Sequence, residues 1–328
     1  MEILVLNHGD VEKLLPMKAC IEVMEEALAA LAREEVHNPL RFVVRPPDTG
    51  HFLGLMPAYR GGATPAYGLK EVCIFPENPT RGLDAHQGAI LLHSAETGLL
   101  QAVMNASAIT AIRTAAVSGV ATRLLARKDS HTLAIVGTGI QARYHLKAMA
   151  AVGNFERARV CSRQAEHARA FAEELEGHYP FSIEPVEDAE KALGEADVIV
   201  TATNSPDPVV RREWVAHGAH INAVGSSIPT ARELDTATMA ACSLFVDRRE
   251  SALNESGDYL FAAREGAIGP DHIRAEIGEI LLGNKPGRSS AQEITVFKSL
   301  GLAVEDLAAT QYVYRRALEA GVGTKVAF

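Results

Sequence analysis

The sequence predicts an α/β protein: a doubly wound parallel sheet joined to a second unit of α+β character. Three observations predict it. Apolar strands at about 131–136, 158–162 and 197–202 alternate with helical stretches at about 140–152 and 164–177, the order of a parallel βαβ sheet. The first of these strands runs directly into a glycine turn followed by a helix. Ahead of them, between residues 41 and 74, short apolar runs are broken by Pro46-Pro47, Gly50, Pro57 and Gly61-Gly62, the pattern of strands and tight turns. At 328 residues the chain exceeds the ~100–200 residues of an ordinary domain, so two domains are expected.

Taken in order, residues 17–33 place Ile21, Met24, Leu28 and Leu31 at helical spacing with Glu22, Glu25 and Glu26 between them, an amphipathic helix. Ala89-Ile90-Leu91-Leu92, followed by Glu96-Thr97-Gly98, reads as a strand ending in a turn. Residues 107–127 are almost all small or apolar, with no Pro and one Gly, and predict a long buried helix connecting the two domains. Further strands are expected at 219–224 and 243–246. The tail from 304 to 320 is helical again and can fold back onto the first domain. The expected division is therefore 1–120 with 303–328 returning, and 121–302. There is no internal repeat and no low-complexity segment.

Composition narrows the function. A hydrophobic share of 47% and a charged share of 22% are those of a globular chain. A net charge of -9 and a pI near 5.8 argue against a nucleic-acid partner, which needs a basic face. Cys20, Cys73, Cys161 and Cys242 are far apart with no CxxC pair, matching neither a zinc site nor a disulfide framework. The N-terminus does not read as a signal peptide, and no stretch approaches the ~20 apolar residues of a membrane span. A cytoplasmic protein with no metal is expected.

The strand at 131–136 leads into Gly137-Thr138-Gly139-Ile140-Gln141-Ala142, a GxGxxA turn in its proper setting. The first glycine permits the tight turn, the second lets backbone approach a pyrophosphate, and Ala142 allows close helix packing. The unit is thus Rossmann-type and dinucleotide-binding. At the end of the second strand, about 20 residues on, NAD enzymes place an Asp or Glu on the ribose 2′-hydroxyl. Here the chain reads Ser162-Arg163-Gln164. A carboxylate would repel a 2′-phosphate, whereas a hydroxyl and a guanidinium can bind one, so NADP(H) is preferred over NAD(H); the alternative for Arg163 is a solvated surface arginine. Later strand ends, Thr201-Ala202-Thr203 and Val224-Gly225, should line the same sheet edge beside the nicotinamide.

A small anionic substrate needs cations, and the other unit offers Arg41, Arg45, Lys70 and Arg113. Arg113 lies in an otherwise uncharged helix, where an unpaired guanidinium is costly; it should meet an anion, either a substrate's or that of an internal Asp or Glu. Lys70, in a strand-like stretch (Tyr67 to Val72), could protonate a nascent amine or polarise an imine carboxylate, or could simply face solvent. Either Arg41 or Arg45 could face the substrate. Met56 reads as core, and His86 and His93 read more readily as structural than as general acids.

These residues belong to a dispersed set: Pro39-Leu40-Arg41, residues 53–59 (Leu-Gly-Leu-Met-Pro-Ala-Tyr), Gly68-Leu69-Lys70, Ile109 through Ser118, the glycine turn, residues 220–225 (His-Ile-Asn-Ala-Val-Gly), Arg232-Glu233-Leu234-Asp235, and residues 295–301 (Thr-Val-Phe-Lys-Ser-Leu-Gly). Over nearly the whole chain this resembles the ornithine cyclodeaminase/μ-crystallin family, which includes ketimine reductases and archaeal-type alanine dehydrogenases. The resemblance implies a homodimer whose first domain makes the subunit contact, and an active site in the cleft between the domains. It implies that Arg41, Lys70 and Arg113 contact substrate, and it adds Thr114 and Lys298 to the cofactor-binding set. Cyclodeaminases and the alanine dehydrogenases carry an Asp where this chain has Ser227. A serine hydroxyl cannot handle the ornithine amine proton as a carboxylate does, which counts against cyclodeaminase activity. The ketimine reductases resemble this chain in that serine, in the stretch Ser251 to Asp258, and in using a phosphorylated nicotinamide cofactor. The expected activity is reduction of a small, cyclic imino acid such as Δ1-pyrroline-2-carboxylate or Δ1-piperideine-2-carboxylate. Arg113 and Arg41 would hold its carboxylate, Lys70 would govern the imine proton, and Ser227 would hydrogen-bond the substrate. An alanine-type dehydrogenase, then an ornithine cyclodeaminase, or a non-catalytic binder of NADPH and a small ligand are the alternatives.

Overall fold

The structure, a computed structural model, describes residues 2–328 apart from the side chain of Pro79. In chain order the first elements are β1 (Glu2–Leu6), α1 (His8–Leu14), α2 (Met17–Ala32), β2 (Val36–His37), β3 (Phe42–Val44), β4 (Phe52–Arg60), β5 (Ala66–Ile74), β6 (His86–Ser94), β7 (Leu100–Asn105) and α3 (Ala106–Leu125). Then come β8 (Thr132–Val136), α4 (Ile140–Val152), β9 (Arg157–Cys161), α5 (Ala165–Leu175), β10 (Ser182–Pro185), α6 (Ala189–Leu193), β11 (Val198–Thr201) and β12 (His220–Ala223). The chain continues through α7 (Thr236–Ala241), β13 (Ser243–Val246), α8 (Arg249–Glu255), α9 (Gly257–Arg264), β14 (Ile273–Glu276), α10 (Ile277–Leu281) and β15 (Thr295–Lys298), and ends in α11 (Ala303–Ala320) and β16 (Thr324–Ala327).

Two compact units result: Met1–Arg113 with Leu302–Phe328, and Thr114–Gly301. The division falls inside the continuous helix α3, so the expected boundary at 120 lies within the second unit; a helix crosses it because its backbone hydrogen bonds need no loop there.

The first unit is a mixed eight-stranded sheet, β16-β1-β7-β6-β5-β4-β2, with β3 also paired to β4. The antiparallel register aligns Met56, Lys70, Ile90 and Met104 in one row across β4 to β7. All four are buried, so Lys70 sits within an apolar row. On the same face of β5, Gly68 admits α11: a Cβ there would meet Leu307 at 2.9 Å. The helical tail thus packs on α2, β4 and β5.

The second unit is an all-parallel eight-stranded sheet, β10-β9-β8-β11-β12-β15-β13-β14. Its central strands β8, β11, β12, β13 and β15 are buried on both faces, which is why they read as continuous apolar runs. One sequence expectation needs correcting. By length and composition α3 is apolar enough to span a membrane; 83% of that window is buried inside the fold, which accounts for the apolarity.

Candidate functional site

The nucleotide-binding features lie in the second unit. β8 ends at Val136, and Gly137 follows at φ 115°, a backbone conformation that favours glycine. A Cβ at Gly137 would stand 2.5 Å from the Ala202 carbonyl oxygen, so the residue must also be small. Gly139 is the N-cap of α4, has no side chain to cap the helix, and has open space where its Cβ would project. The first amides of α4 are therefore left for an external acceptor, as a pyrophosphate would be. Ala142 is fully buried against the sheet, Ile140 is half exposed, and Oε1 of Gln141 is buried without a hydrogen-bond partner. At the end of β9, Ser162 is half-buried and Arg163 and Gln164 are exposed. The Thr138 hydroxyl lies 3.5 Å from that of Ser162. These residues fit a dinucleotide.

The ends of β11, β12 and β15 are tied together by buried carboxylates. Glu233 is fully buried and accepts four hydrogen bonds at 2.7 Å: from the hydroxyls of Thr201 and Thr203 and from the backbone N–H groups of Thr203 and Gly225. Asp258, also buried, accepts from the N–H groups of Glu233 and Leu234, and its other oxygen lies 2.9 Å from the ammonium of Lys298. Burial pushes the Glu233 carboxyl up, and the nearby Lys298 opposes it. The side chains of Thr201 and Lys298 thus meet internal carboxylates, Glu233 and Asp258. A buried carboxylate without donors would be costly, and these residues supply them. Ala202, Thr203 and Gly225 are half-buried, Val224 is buried, and Thr114 is buried on α3. Of the two serines after β12, Ser226 donates to the Ala231 carbonyl, whereas Ser227 is half-buried in the loop.

The cations belong to the first unit. Lys70 is 4% exposed, with Nζ 2.7 Å from Oδ2 of Asp306 and 3.4 Å from the Thr110 hydroxyl. Arg113 donates from Nε to Oδ1 of Asp306 at 2.9 Å and from Nη1 to Oε2 of Glu305 at 2.7 Å. Both acids occupy the first turn of α11, where the helix dipole favours negative charge. Arg113 is thus paired internally through Nε and Nη1, and Lys70 does not face solvent. Burial lowers the Lys70 pKa to about 8, Asp306 opposing the shift. For Asp306 burial acts against ionisation, yet Arg113 and Lys70 hold its carboxyl below the ordinary range.

Arg41 is half-buried and its charge acts on Lys70, while the Arg45 guanidinium lies over the Phe52 ring at 4.6 Å. His86, read as structural, has its pKa lowered by burial and by the charge of Lys70 against that of Asp84. His93 Nδ1 meets the Gly98 carbonyl in its turn. Among the described residues no cluster of His, Cys, Asp or Glu is arranged to hold a metal.

Sequence reasoning missed Glu305, Asp306, Glu233 and Asp258. A signal for the first two existed: they interrupt the apolar stretch 302–309, and buried acids demand partners as strictly as Arg113 does.

A model of the ornithine cyclodeaminase/mu-crystallin family matches residues 1–321. A Δ1-pyrroline-2-carboxylate reductase of Bacillus cereus is 39% identical over 326 residues, 99% of this chain and 100% of that protein. The ketimine reductase mu-crystallin of Mus musculus is 40% identical over 297 residues, 90% of each. Among solved structures, Thermococcus litoralis Δ1-pyrroline-2-carboxylate reductase in complex with NADH and L-proline aligns with a TM-score of 0.96 at 42% identity, covering 99% of this chain and 100% of that one.

Proposed function

Because the chain belongs to the ornithine cyclodeaminase/mu-crystallin family, we propose that it reduces the C=N bond of a small cyclic imino acid to the amino acid, with a reduced nicotinamide dinucleotide supplying the hydride. Δ1-Pyrroline-2-carboxylate and Δ1-piperideine-2-carboxylate are the substrates of this reading. The observation that carries it is the full-length likeness to the Thermococcus litoralis reductase, whose complex holds NADH and L-proline.

In this reading Arg113, helped by Arg41, fixes the substrate carboxylate, a positioning role. Lys70 gives a proton to the imine nitrogen. Ser227 hydrogen-bonds the substrate. Gly137, Thr138, Gly139, Ile140 and Gln141 cradle the pyrophosphate, and Thr114, Ala202, Thr203, Val224 and Gly225 flank the nicotinamide. The chain works as a homodimer, a reading supported by the exposed apolar side chains of Phe42, Val43 and Val44 on β3.

NADPH is the preferred cofactor, because Ser162 and Arg163 follow β9 where a carboxylate would select NADH. The test follows cofactor oxidation optically with each cyclic imine and with pyruvate plus ammonia, using NADPH and NADH in parallel. Turnover of a cyclic imine supports the reading. Activity confined to pyruvate plus ammonia would replace it with an alanine-type dehydrogenase, and tight NADPH binding without turnover with a binding protein. Arg163→Ala should raise KM for NADPH roughly ten- to a hundredfold, the worth of a charge-assisted hydrogen bond, and leave KM for NADH unchanged. Equal effects on both cofactors would remove the 2′-phosphate role.

A further inference from the structure

We propose that Asp306 is a positioning residue for the proton donor: by dividing its carboxylate between Lys70 and Arg113 it fixes the Lys70 ammonium in place and sets the pH range over which that ammonium is available to the imine. The inference rests on the function proposed above.

The geometry is specific. Each Asp306 oxygen serves one cation, Oδ2 at 2.7 Å from Lys70 Nζ and Oδ1 at 2.9 Å from Arg113 Nε, and the carboxylate is 1% exposed. Glu305 answers Nη1 of the same guanidinium, so Arg113 is braced from two successive residues of α11. The groups acting on Lys70 are Asp306 from α11, Thr110 and Arg113 from α3, and Arg41 from the segment before β3, while His86 on β6 feels the Lys70 charge in turn; its row neighbours Met56, Ile90 and Met104 carry no charge. Burial, Arg113 and Arg41 all favour the neutral amine, and Asp306 is the contacting charge that favours the ammonium. A flexible lysine in an apolar row would otherwise have neither a fixed position nor a proton to give.

The step balances simply. The imine carbon accepts a hydride from the reduced nicotinamide, which is oxidised; the π electrons of C=N pass to nitrogen, which takes a proton from Lys70 Nζ. Lys70 is left a neutral amine and regains its proton from water.

The experiment compares wild type, Asp306→Asn and Asp306→Glu by the pH profiles of kcat and kcat/KM. In parallel, Lys70 is titrated without substrate by 15N NMR of lysine Nζ, its signal assigned by its loss in Lys70→Arg. In D306N the alkaline limb of kcat/KM and the Lys70 titration should both move down by about one pH unit or more, the usual effect of one adjacent opposite charge. In D306E, which keeps the charge but displaces it by a methylene, the limb should stay near its wild-type position while kcat falls several-fold. That second variant decides the matter if D306N does not fold: unchanged kcat in D306E overturns the positioning role. An activity loss in D306N equal at every pH, with the Lys70 titration unmoved, also overturns it. If wild type reduces no imino acid but the Lys70 titration still moves in D306N, the proposed function fails and the Asp306–Lys70 relation stands.

Discussion

Lys70→Met should lower kcat for a cyclic imine by about 10²–10⁴-fold, the span contributed by a positioned general acid, with NADPH affinity unchanged. Methionine fits the site because the row it would enter, Met56, Ile90 and Met104, is already apolar. The lost charge leaves Asp306 still paired with Arg113, so the variant should fold. Steady-state kinetics together with a fluorescence titration of NADPH separate the two quantities. A kcat within about threefold of wild type would mean that the imine arrives already protonated and that Lys70 only binds. Wild type carries its own pH signature. A pKa near 8 for Lys70 means that activity requiring the ammonium is present below that value and is lost as pH rises through it. An ordinary lysine would hold activity to a much higher pH.

Glu233→Gln is expected to cost about 3 kcal/mol or more of stability and to weaken NADPH binding as well. The carboxylate collects four donors from the ends of β11 and β12. An amide replaces one of its acceptor oxygens with an NH₂ group that faces donors, and the buried N–H and O–H groups lose their partner. Asp258, which accepts from the Glu233 N–H, and Lys298 beside it would be left in a loosened network. The loops that Glu233 ties together follow β11 and β12, the edge where dinucleotides bind in such sheets. Urea unfolding measures the first effect and an NADPH titration the second. Wild-type stability with weakened binding would make Glu233 a cofactor contact; loss of stability with unchanged binding would make it a structural brace alone.

Where the physics is local, the sequence is sufficient. The strand-turn-helix around Gly137 is legible because a positive φ, a close backbone approach and an open helix N-terminus each restrict the residue at one position. Periodicity locates α2, a nearly continuous run of small and apolar residues locates α3, and unbroken apolar runs locate the central strands of the parallel sheet. The short outer elements, among them β10, β14 and α6 to α10, are not legible in this way, because four to eight residues carry too little pattern to separate a strand from a turn or a helix.

Composition and spacing also single out Arg113 as a charge in apolar surroundings that needs a partner, but they cannot name that partner, and they leave Lys70 free to face solvent. Asp306 lies 193 residues from Arg113 in the chain, and it reaches it because Gly68 lets α11 settle on β5. The same holds for Thr201 and Lys298, which end on Glu233 and Asp258. Sequence alone marked Arg113 as a residue that could not remain unpaired, since its uncharged helical neighbours along the chain imply burial and a buried lone charge is costly. Only the tertiary structure decided what it pairs with, since a hydrogen bond depends on distance in space, and packing of elements far apart in the chain sets that distance.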